Sequence, residues 1–256
     1  MLKWDAAIAT QNPRILYRSV QLLKKLGIHF IICSPEDARC DQSHVILTGF
    51  DEGHETHEGR IVVKEDFDVD LVGVDIMTKL NDIKAPSRII VGIDPGMTTG
   101  IALVIDGIVV YKNSLMSPGM IARLCERLSL HAGELFPESQ KIVRIGTGSK
   151  MYTALLLRSI SNNSSTFVIE LVNEMHTTII GGAHSDESSA IIIAGRNGRA
   201  LTPEDILLEP KAGYVRSLKQ FVKKLTRGQY ALSSNDAREI LTGETPLETA
   251  LNILMS

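Results

Sequence analysis

The segment that decides the fold runs from Arg88 to Ser114 and reads RIIVGIDPGMTTGIALVIDGIVVYKNS. Its first apolar run, Ile89–Ile93, has the composition of a buried strand and ends on a carboxylate, Asp94, followed at once by a proline and a glycine. Two further β-rich runs, 101–105 and 108–111, are separated only by Asp-Gly, a strong signal for a β-hairpin. The segment therefore predicts a three-stranded antiparallel meander with one acid at its edge, beside glycines that leave room for the backbone of a ligand.

The residues after this meander predict an alternation of helices and strands. Apolar residues at helical spacing and short β-branched runs follow one another along the chain. Together with the meander, this order predicts an α/β domain built on a five-stranded mixed sheet. The predicted elements are a helix at 120–135, a strand at 141–145, a helix at 151–160, a strand at 166–172 and a helix at 186–196.

The first part of the chain predicts a separate small α/β domain, residues 1–84. A strand at 6–10 leads into a helix with Pro13 at its first position and Gly27 after its last. This start resembles half of a Rossmann-like sheet, and the stretch around Pro86 has the composition of a linker. Further strands are predicted at 28–33, 45–48 and 61–64.

The residues after 199 predict a helical C-terminal extension. Amphipathic helices at 214–227 and 233–241 are followed by a capping box, Thr245-Pro-Leu-Glu248, that opens a third helix. The predicted domains are the small α/β domain at 1–84, the domain with the mixed sheet at 88–199, and the helical extension at 200–256.

The composition is that of a soluble globular protein. The chain has 256 residues, 44% of them hydrophobic and 22% charged, and a net charge of −3. No apolar run approaches the roughly 20 residues of a membrane helix, and the N-terminus lacks the apolar core of a signal peptide. Three cysteines at unrelated spacings, Cys33, Cys40 and Cys125, predict neither a disulfide framework nor a zinc site. These features predict a cytoplasmic protein with no membrane partner.

Three separated motifs resemble those of ribonuclease H-like nucleases, in particular the RuvC/YqgF branch. In that branch the first strand ends on Gly-Ile-Asp-Pro-Gly with Thr-Gly following, as in 92–100 here. Residues 173–178 are similar to the motif Asp-Glu-Arg-x-Thr-Thr of YqgF-type proteins, and 186–194 to their Asp-Ala-x-Ala-x-x-x-Ala helix. The layout is also similar to archaeal proteins of this fold that are candidate nucleases.

The resemblance implies a metal-dependent nuclease or resolvase-like enzyme. Such enzymes bind two divalent metals, Mg²⁺ or Mn²⁺, between carboxylates that would here be Asp94, Glu174 and Asp186. Glu187 is a substitute ligand if the helix register differs by one. The acid that RuvC resolvases carry on the fourth strand is absent from 142–146, and Asn173 replaces the first Asp of the YqgF motif. A non-catalytic nucleic-acid-binding protein of the same fold therefore stays an alternative.

A basic cluster near the C-terminus predicts a nucleic-acid partner, DNA or RNA, with branched forms among the substrates. Such a cluster neutralises phosphates, although the solvated face of an amphipathic helix has the same composition. The candidate phosphate-binding residues are Lys150, at the start of a helix, and Arg196, Arg199, Arg216, Lys219, Lys223 and Lys224.

Three other interpretations stay open or are weaker. The run His54-Glu-Thr-His57 has the wrong spacing for a zinc protease helix and predicts a solvated loop. The motif at 94–100 also resembles the first phosphate loop of actin/hexokinase-type phosphotransferases, but those need two such domains. The N-terminal domain could serve as a partner-binding module or form a homodimer with a second copy.

Overall fold

The computed structural model describes residues 4–50, 52–161, 167–174 and 185–255. The chain separates into two compact units, 1–86 and 87–256. Among the described residues, every helix is too short or too polar to cross a membrane.

The elements of the first unit are β1 (Trp4–Ala9), α1 (Pro13–Leu26), β2 (Phe30–Cys33), a short 3₁₀ helix (Ala38–Gln42), β3 (Ser43–Thr48), β4 (Arg60–Val62) and α2 (Val69–Leu80). The four strands form a parallel sheet with the strand order β2-β1-β3-β4. Apolar residues of α1 and α2 form one core with the sheet. The helix α2 was not predicted, because a glycine and several β-branched residues weaken its helical pattern.

Local sequence signals explain the bounds of α1. The Asn12 side chain accepts hydrogen bonds from the backbone N–H groups of Arg14 and Ile15, and Pro13 occupies the first turn. Gly27 ends the helix in the left-handed conformation, with φ 68°. The predicted ends of this helix are confirmed.

The expectation that the cysteines form no disulfide was wrong for one pair. Cys33, the last residue of β2, and Cys40, in the 3₁₀ helix, are bonded, with Cα atoms 6.4 Å apart. Only seven positions separate them in the chain, and the turn after β2 folds the 3₁₀ helix back over the sheet, which the spacing alone did not reveal. Cys125 is buried and free.

The elements of the second unit are β5 (Arg88–Asp94), β6 (Thr99–Ile105), β7 (Ile108–Leu115), α3 (Pro118–Leu135), β8 (Gln140–Gly146), α4 (Lys150–Ser161), β9 (Val168–Val172), α5 (Asp186–Ala194), β10 (Arg199–Ala200), α6 (Ala212–Leu225), α7 (Ser234–Thr242) and α8 (Leu247–Met255). The strands form a mixed sheet with the strand order β10-β9-β8-β5-β6-β7. The strands β5, β6 and β7 are antiparallel neighbours, whereas β8 runs parallel to β5, and β9 parallel to β8.

This sheet has six strands where five were predicted. The additional strand is the two-residue β10, which pairs antiparallel with β9 at the sheet edge. It was missed because two residues carry no periodicity. The first five strands keep the predicted chain order, with α3 between β7 and β8.

The hairpin between β6 and β7 turns where predicted. Asp106 and Gly107 both have positive φ, 44° and 88°, which is the conformation of the favoured two-residue turn. The Asp106 carboxylate also accepts hydrogen bonds from the backbone N–H groups of Ser87 (2.8 Å) and Arg88 (2.9 Å). One residue thus makes the turn and fixes the start of β5.

The C-terminal helices share a core with α4 inside the second unit. Buried residues of α4, such as Leu155, pack with Phe221 of α6 and Ile240 of α7. The Arg158 guanidinium donates hydrogen bonds to the carbonyls of Ile206, Ile240 and Leu241, at 2.7–3.0 Å. Since these carbonyls include the last turn of α7, Arg158 joins the helical segment to α4.

Candidate functional site

The sheet brings the three predicted acids toward one edge. Asp94 is the last residue of β5, and Glu174 lies two residues after β9. Because β5, β8 and β9 are parallel, their carboxyl ends lie at the same edge. Asp186 is the first residue of α5, and its backbone lies over Gly100, the residue that pairs with Asp94 across β5 and β6. The end of β9 and the start of α5 therefore both lie on the side of the sheet where Asp94 ends β5.

Two strand glycines let α5 approach the sheet this closely. A Cβ atom at Gly100 would lie 1.9 Å from the carbonyl oxygen of Asp186, and one at Gly92 would lie 2.2 Å from that of Ala190. No side chain fits at either position. The expectation that the motif glycines leave room for a ligand is thus corrected at Gly100, where the room is filled by the protein's own helix.

A buried arginine binds the C-terminal end of α5. Arg144, on β8, is 5% exposed and donates to the Glu170 carboxylate at 2.8 Å and to the carbonyl of Ala194 at 2.7 Å. Ala194 is the last residue of α5, so the cation lies at the negative end of the helix dipole. The sequence indicated only that the stretch 142–146 lacks an acid, and this role of Arg144 was missed. The signal that could have revealed it is a lone arginine within an apolar strand.

The Glu174 carboxylate lies on the turn between β8 and α4. Its Oε1 accepts a hydrogen bond from the backbone N–H of Gly148 at 2.8 Å. Cβ atoms at Gly146 and Gly148 would lie 2.1 and 2.4 Å from this carboxylate, so a larger residue at either position would displace the Glu174 side chain. The segment 146–150, which resembles a phosphate loop in composition, here binds the chain's own carboxylate.

The electrostatics of the site centre on Asp94. Burial and the nearby negative charges of Glu174 and Asp186 raise its pKa from 3.8 to about 6, against an opposing hydrogen bond from Ser189. The negative charges of Glu174 and Asp186 therefore lie close enough to Asp94 to disfavour its ionisation. A bound cation would favour the ionised form and reverse the shift.

Glu187, the substitute ligand, turns to a different partner. Its carboxylate pairs with Lys112 on β7 at 3.2 Å. Within the described residues, no three His, Cys, Asp or Glu side chains form a group that could hold a metal ion. Residues 175–184, which include the rest of the YqgF-like motif, lie outside the described part of the chain.

A polar pocket of about 600 Å³ adjoins the carboxyl ends of β8 and β9. Lys150, Asn173, Asn197 and Arg199 line it, together with Thr147. Arg199 is held in a two-point ion pair by Asp205, with one contact at 2.7 Å. Lys150 is exposed at the first position of α4. Of these two predicted phosphate ligands, Lys150 therefore keeps its charge turned to solvent, whereas Arg199 has a carboxylate partner.

The predicted basic residues after α5 divide into two groups. Arg216, Lys219 and Lys223 line a groove of about 510 Å³ between α6 and α7. Lys224 is exposed but does not line that groove, and Arg196 is half-buried just after α5. A further cation in the groove, Arg238 of α7, was missed, because the sequence does not reveal which face α7 turns toward α6.

Comparisons with known proteins add little to this geometry. No family model and no curated protein matches the chain. It is similar to two structures of Marinitoga piezophila Argonaute, one with 5′ OH guide RNA and target DNA (12% identity, 66% of this chain, 39% of that chain, TM-score 0.28) and one with 5′ OH guide RNA (9%, 67%, 40%, 0.26). An Aquifex aeolicus PPX-GPPA enzyme is similar over 95% of this chain and 74% of that one, at 10% identity and a TM-score of 0.17. The chain thus spans about two fifths of the Argonaute chains, and such TM-scores do not decide a function.

Proposed function

We propose that this protein is a divalent-metal-dependent nuclease, a hydrolase of phosphodiester bonds in DNA or RNA. The observation that carries the proposal is the convergence of Asp94, Glu174 and Asp186 at one edge of the sheet, where burial and the two neighbouring negative charges raise the pKa of Asp94 to about 6. A fold that holds partly buried carboxylates against one another is typical of a site that receives a cation.

The strand order supports a ribonuclease H-like fold for 88–199. The first three long strands form an antiparallel meander, and the fourth and fifth extend the sheet in parallel from the first. That order and the place of α5 over the first two strands agree with what the resemblance to the RuvC/YqgF branch implies. The stretch 142–146 lacks the acid that RuvC resolvases carry on the fourth strand, and this absence favours the YqgF side of the branch.

The donor set fits Mg²⁺ or Mn²⁺. These hard cations prefer oxygen ligands, and Mg²⁺ is commonly held by one or two carboxylates and several waters, so a site need not contain a ready group of three. Asp94 and Asp186 would hold the cation, with Glu174 beside them. When bound, such a cation activates water and stabilises the charge that develops on the phosphate.

The chain's own residues supply positioning. Gly100 and Gly92 bring α5 against the sheet and thereby place Asp186 beside Asp94. Gly148 orients the Glu174 carboxylate, and the exposed Lys150 could meet a substrate phosphate at the same sheet edge.

Two observations favour a second candidate function, a nucleic-acid-binding protein of the same fold without catalysis. No metal-holding group of three side chains exists among the described residues, and the stretch 142–146 lacks the acid that RuvC resolvases carry on the fourth strand. The two functions predict different effects of a substitution at Asp94 on metal-dependent cleavage.

The test compares Asp94→Asn with Glu138→Gln, which removes an exposed acid near the amino end of β8, at the opposite edge of the sheet. We expect Asp94→Asn to lower metal-dependent cleavage of labelled DNA and RNA on the order of 10²–10³-fold, the loss typical when a group that stabilises transition-state charge is removed. Glu138→Gln should cleave like the wild type.

A second readout does not depend on activity. Mn²⁺ or Mg²⁺ should raise the free energy of unfolding of the wild type, by about 2.7 kcal/mol at 100 times the dissociation constant, and Asp94→Asn should remove this gain. If the wild type shows metal-independent stability and no cleavage yet binds nucleic acid, the non-catalytic function is correct.

A further inference from the structure

The groove between α6 and α7, called here the α6–α7 groove, gathers four cations around an apolar floor. Arg216, Lys219 and Lys223 come from α6, and Arg238 comes from α7. The floor includes Val215 and Leu232, and the groove has a volume of about 510 Å³. The cations therefore lie on both walls of one channel instead of being scattered over a surface.

The spacing of the α6 cations follows from the helix period. Positions 216, 219 and 223 are three and four residues apart, so they share one face, while Leu218, Phe221 and Val222 are buried on another. At 1.5 Å per residue the row is about 10 Å long, so its cations can contact more than one phosphate of the same strand. A row of this length can follow a nucleic-acid backbone.

The four cations have no ion-pair partner among the residues that the structure describes. The lining of the groove contains no carboxylate, and within the described ranges none of the four forms an ion pair. Lys219 donates to the Ser234 hydroxyl at 3.4 Å, and the acid in the first turn of α7, Asp236, accepts from the backbone of Ser233. Clustered like charges repel one another, so the groove is complementary to a polyanion.

We infer that the α6–α7 groove binds a single strand of nucleic acid, with phosphates on the four cations and base faces toward the apolar floor. The choice of nucleic acid among polyanions rests on the function proposed above. The groove has a volume of about 510 Å³, which has room for part of one strand, whereas a duplex can meet only its rim. A duplex also keeps its base faces stacked and away from an apolar floor.

Lys223 and Lys224 provide a matched pair of variants for the test. They are neighbours on α6 and both exposed, but only Lys223 lines the groove. The probes are labelled single strands of deoxythymidine and of uridine and a hairpin duplex of the same length. Binding is measured by fluorescence anisotropy at several salt concentrations, with far-UV circular dichroism as the check on folding.

We expect the wild type to bind single strands at least about tenfold more tightly than the hairpin, and Lys223→Glu or Arg238→Glu to lower the salt slope by about 0.7 per lost phosphate contact. Lys224→Glu should keep the slope and most of the affinity. The two single-stranded probes then distinguish DNA from RNA.

Equal effects of Lys223→Glu and Lys224→Glu would overturn the inference, as would hairpin binding as tight as that of the single strands. Tighter binding of polyglutamate than of either strand would assign the groove to an acidic protein instead. If the groove does not bind nucleic acid, the wild type should still cleave its substrate and Asp94→Asn should still lose that cleavage, so the nuclease proposal would stand. Conversely, if the wild type binds single strands through Lys223 but never cleaves them, the nuclease proposal is wrong and the inference about the groove stands.

Discussion

Two carboxylates near the carboxyl ends of parallel strands, Glu52 in the first unit and Asp94 in the second, respond to their surroundings in opposite ways. Burial acts to raise the pKa of Glu52, but hydrogen bonds from the Thr10 hydroxyl and from backbone N–H groups, including Gln11 and Gly49, together hold it below its ordinary value. At Asp94, burial and two neighbouring carboxylates raise the pKa to about 6.

The difference separates a structural acid from a candidate functional one. Glu52 is surrounded by donors, so its charge is satisfied by the chain itself and joins the ends of β1 and β3. Asp94 has one hydroxyl donor and two like charges, so its ionised form lacks an internal partner of opposite sign in the contacts that set its pKa. Similar positions in two sheets thus have different chemistry, because different groups surround them.

The largest expected effect comes from releasing α5, which brings Asp186 to Asp94. Arg144→Met leaves the Glu170 carboxylate without its partner and should lower the free energy of unfolding of the second unit by about 3 kcal/mol. The double variant Arg144→Met/Glu170→Met should recover most of this loss, since no unpaired buried charge remains. Urea unfolding followed by far-UV circular dichroism measures both. A double variant no more stable than the single one would contradict this account.

A smaller effect is expected from a variant that displaces α5 without substituting any charged residue. Gly100→Ala puts a methyl group against the backbone of Asp186 and should destabilise the second unit by about 2 kcal/mol. Displacing α5 reduces the burial of Asp94, which is the largest cause of its raised pKa, and moves the charge of Asp186 away, while it weakens the opposing hydrogen bond from Ser189. Because burial is the largest of these causes, the pKa of Asp94 should fall toward its ordinary value, which a carboxyl NMR titration measures.

Gly213→Ala is the control for this substitution. A Cβ at Gly213, in α6, meets no heavy atom within 4 Å, so the change should be neutral or raise stability by up to about 1 kcal/mol through helix propensity. An unchanged pKa of Asp94 in a destabilised Gly100→Ala protein would contradict the contribution of α5 to the shift.

The smallest expected effects have opposite signs in the two units. The folded-state pKa of Asp94 exceeds 3.8, so its ionisation destabilises the fold above about pH 6, and the penalty disappears as the pH falls to about 4. Asp94→Asn should therefore raise the free energy of unfolding at about pH 8, by about 1 kcal/mol after screening by solvent, and change nothing near pH 4.

The pKa of Glu52 is lowered, so its ionised form stabilises the fold above its ordinary value of 4.5, and this is lost as the pH falls through the lowered pKa. Glu52→Gln should thus reduce stability by about 1 kcal/mol at about pH 8, with a difference that shrinks in acid. Trp4, the single tryptophan, lies on β1 and reports on the first unit by fluorescence. Shifts of the same sign in both variants would remove the distinction between the two acids.

Local chemistry in the sequence predicted much of the second unit. Asp106-Gly107 fixed the hairpin because few other residue pairs adopt two positive φ angles, and apolar runs located β5, β8 and α4. The disulfide between Cys33 and Cys40 and the strand β10 were not predicted, since each depends on which segments meet in space.

The candidate site divides in the same way. The sequence by itself determined which acids end a strand or begin a helix, as at Asp94 and Asp186, because capping, turns and strand composition act between neighbours in the chain. Only the tertiary structure decided that Glu187 pairs with Lys112, that Arg144 binds the last carbonyl of α5, and that the α5 backbone fills the space above Gly100. These outcomes depend on contacts between residues tens of positions apart, and the energies of such contacts are set by packing and burial that no local pattern encodes.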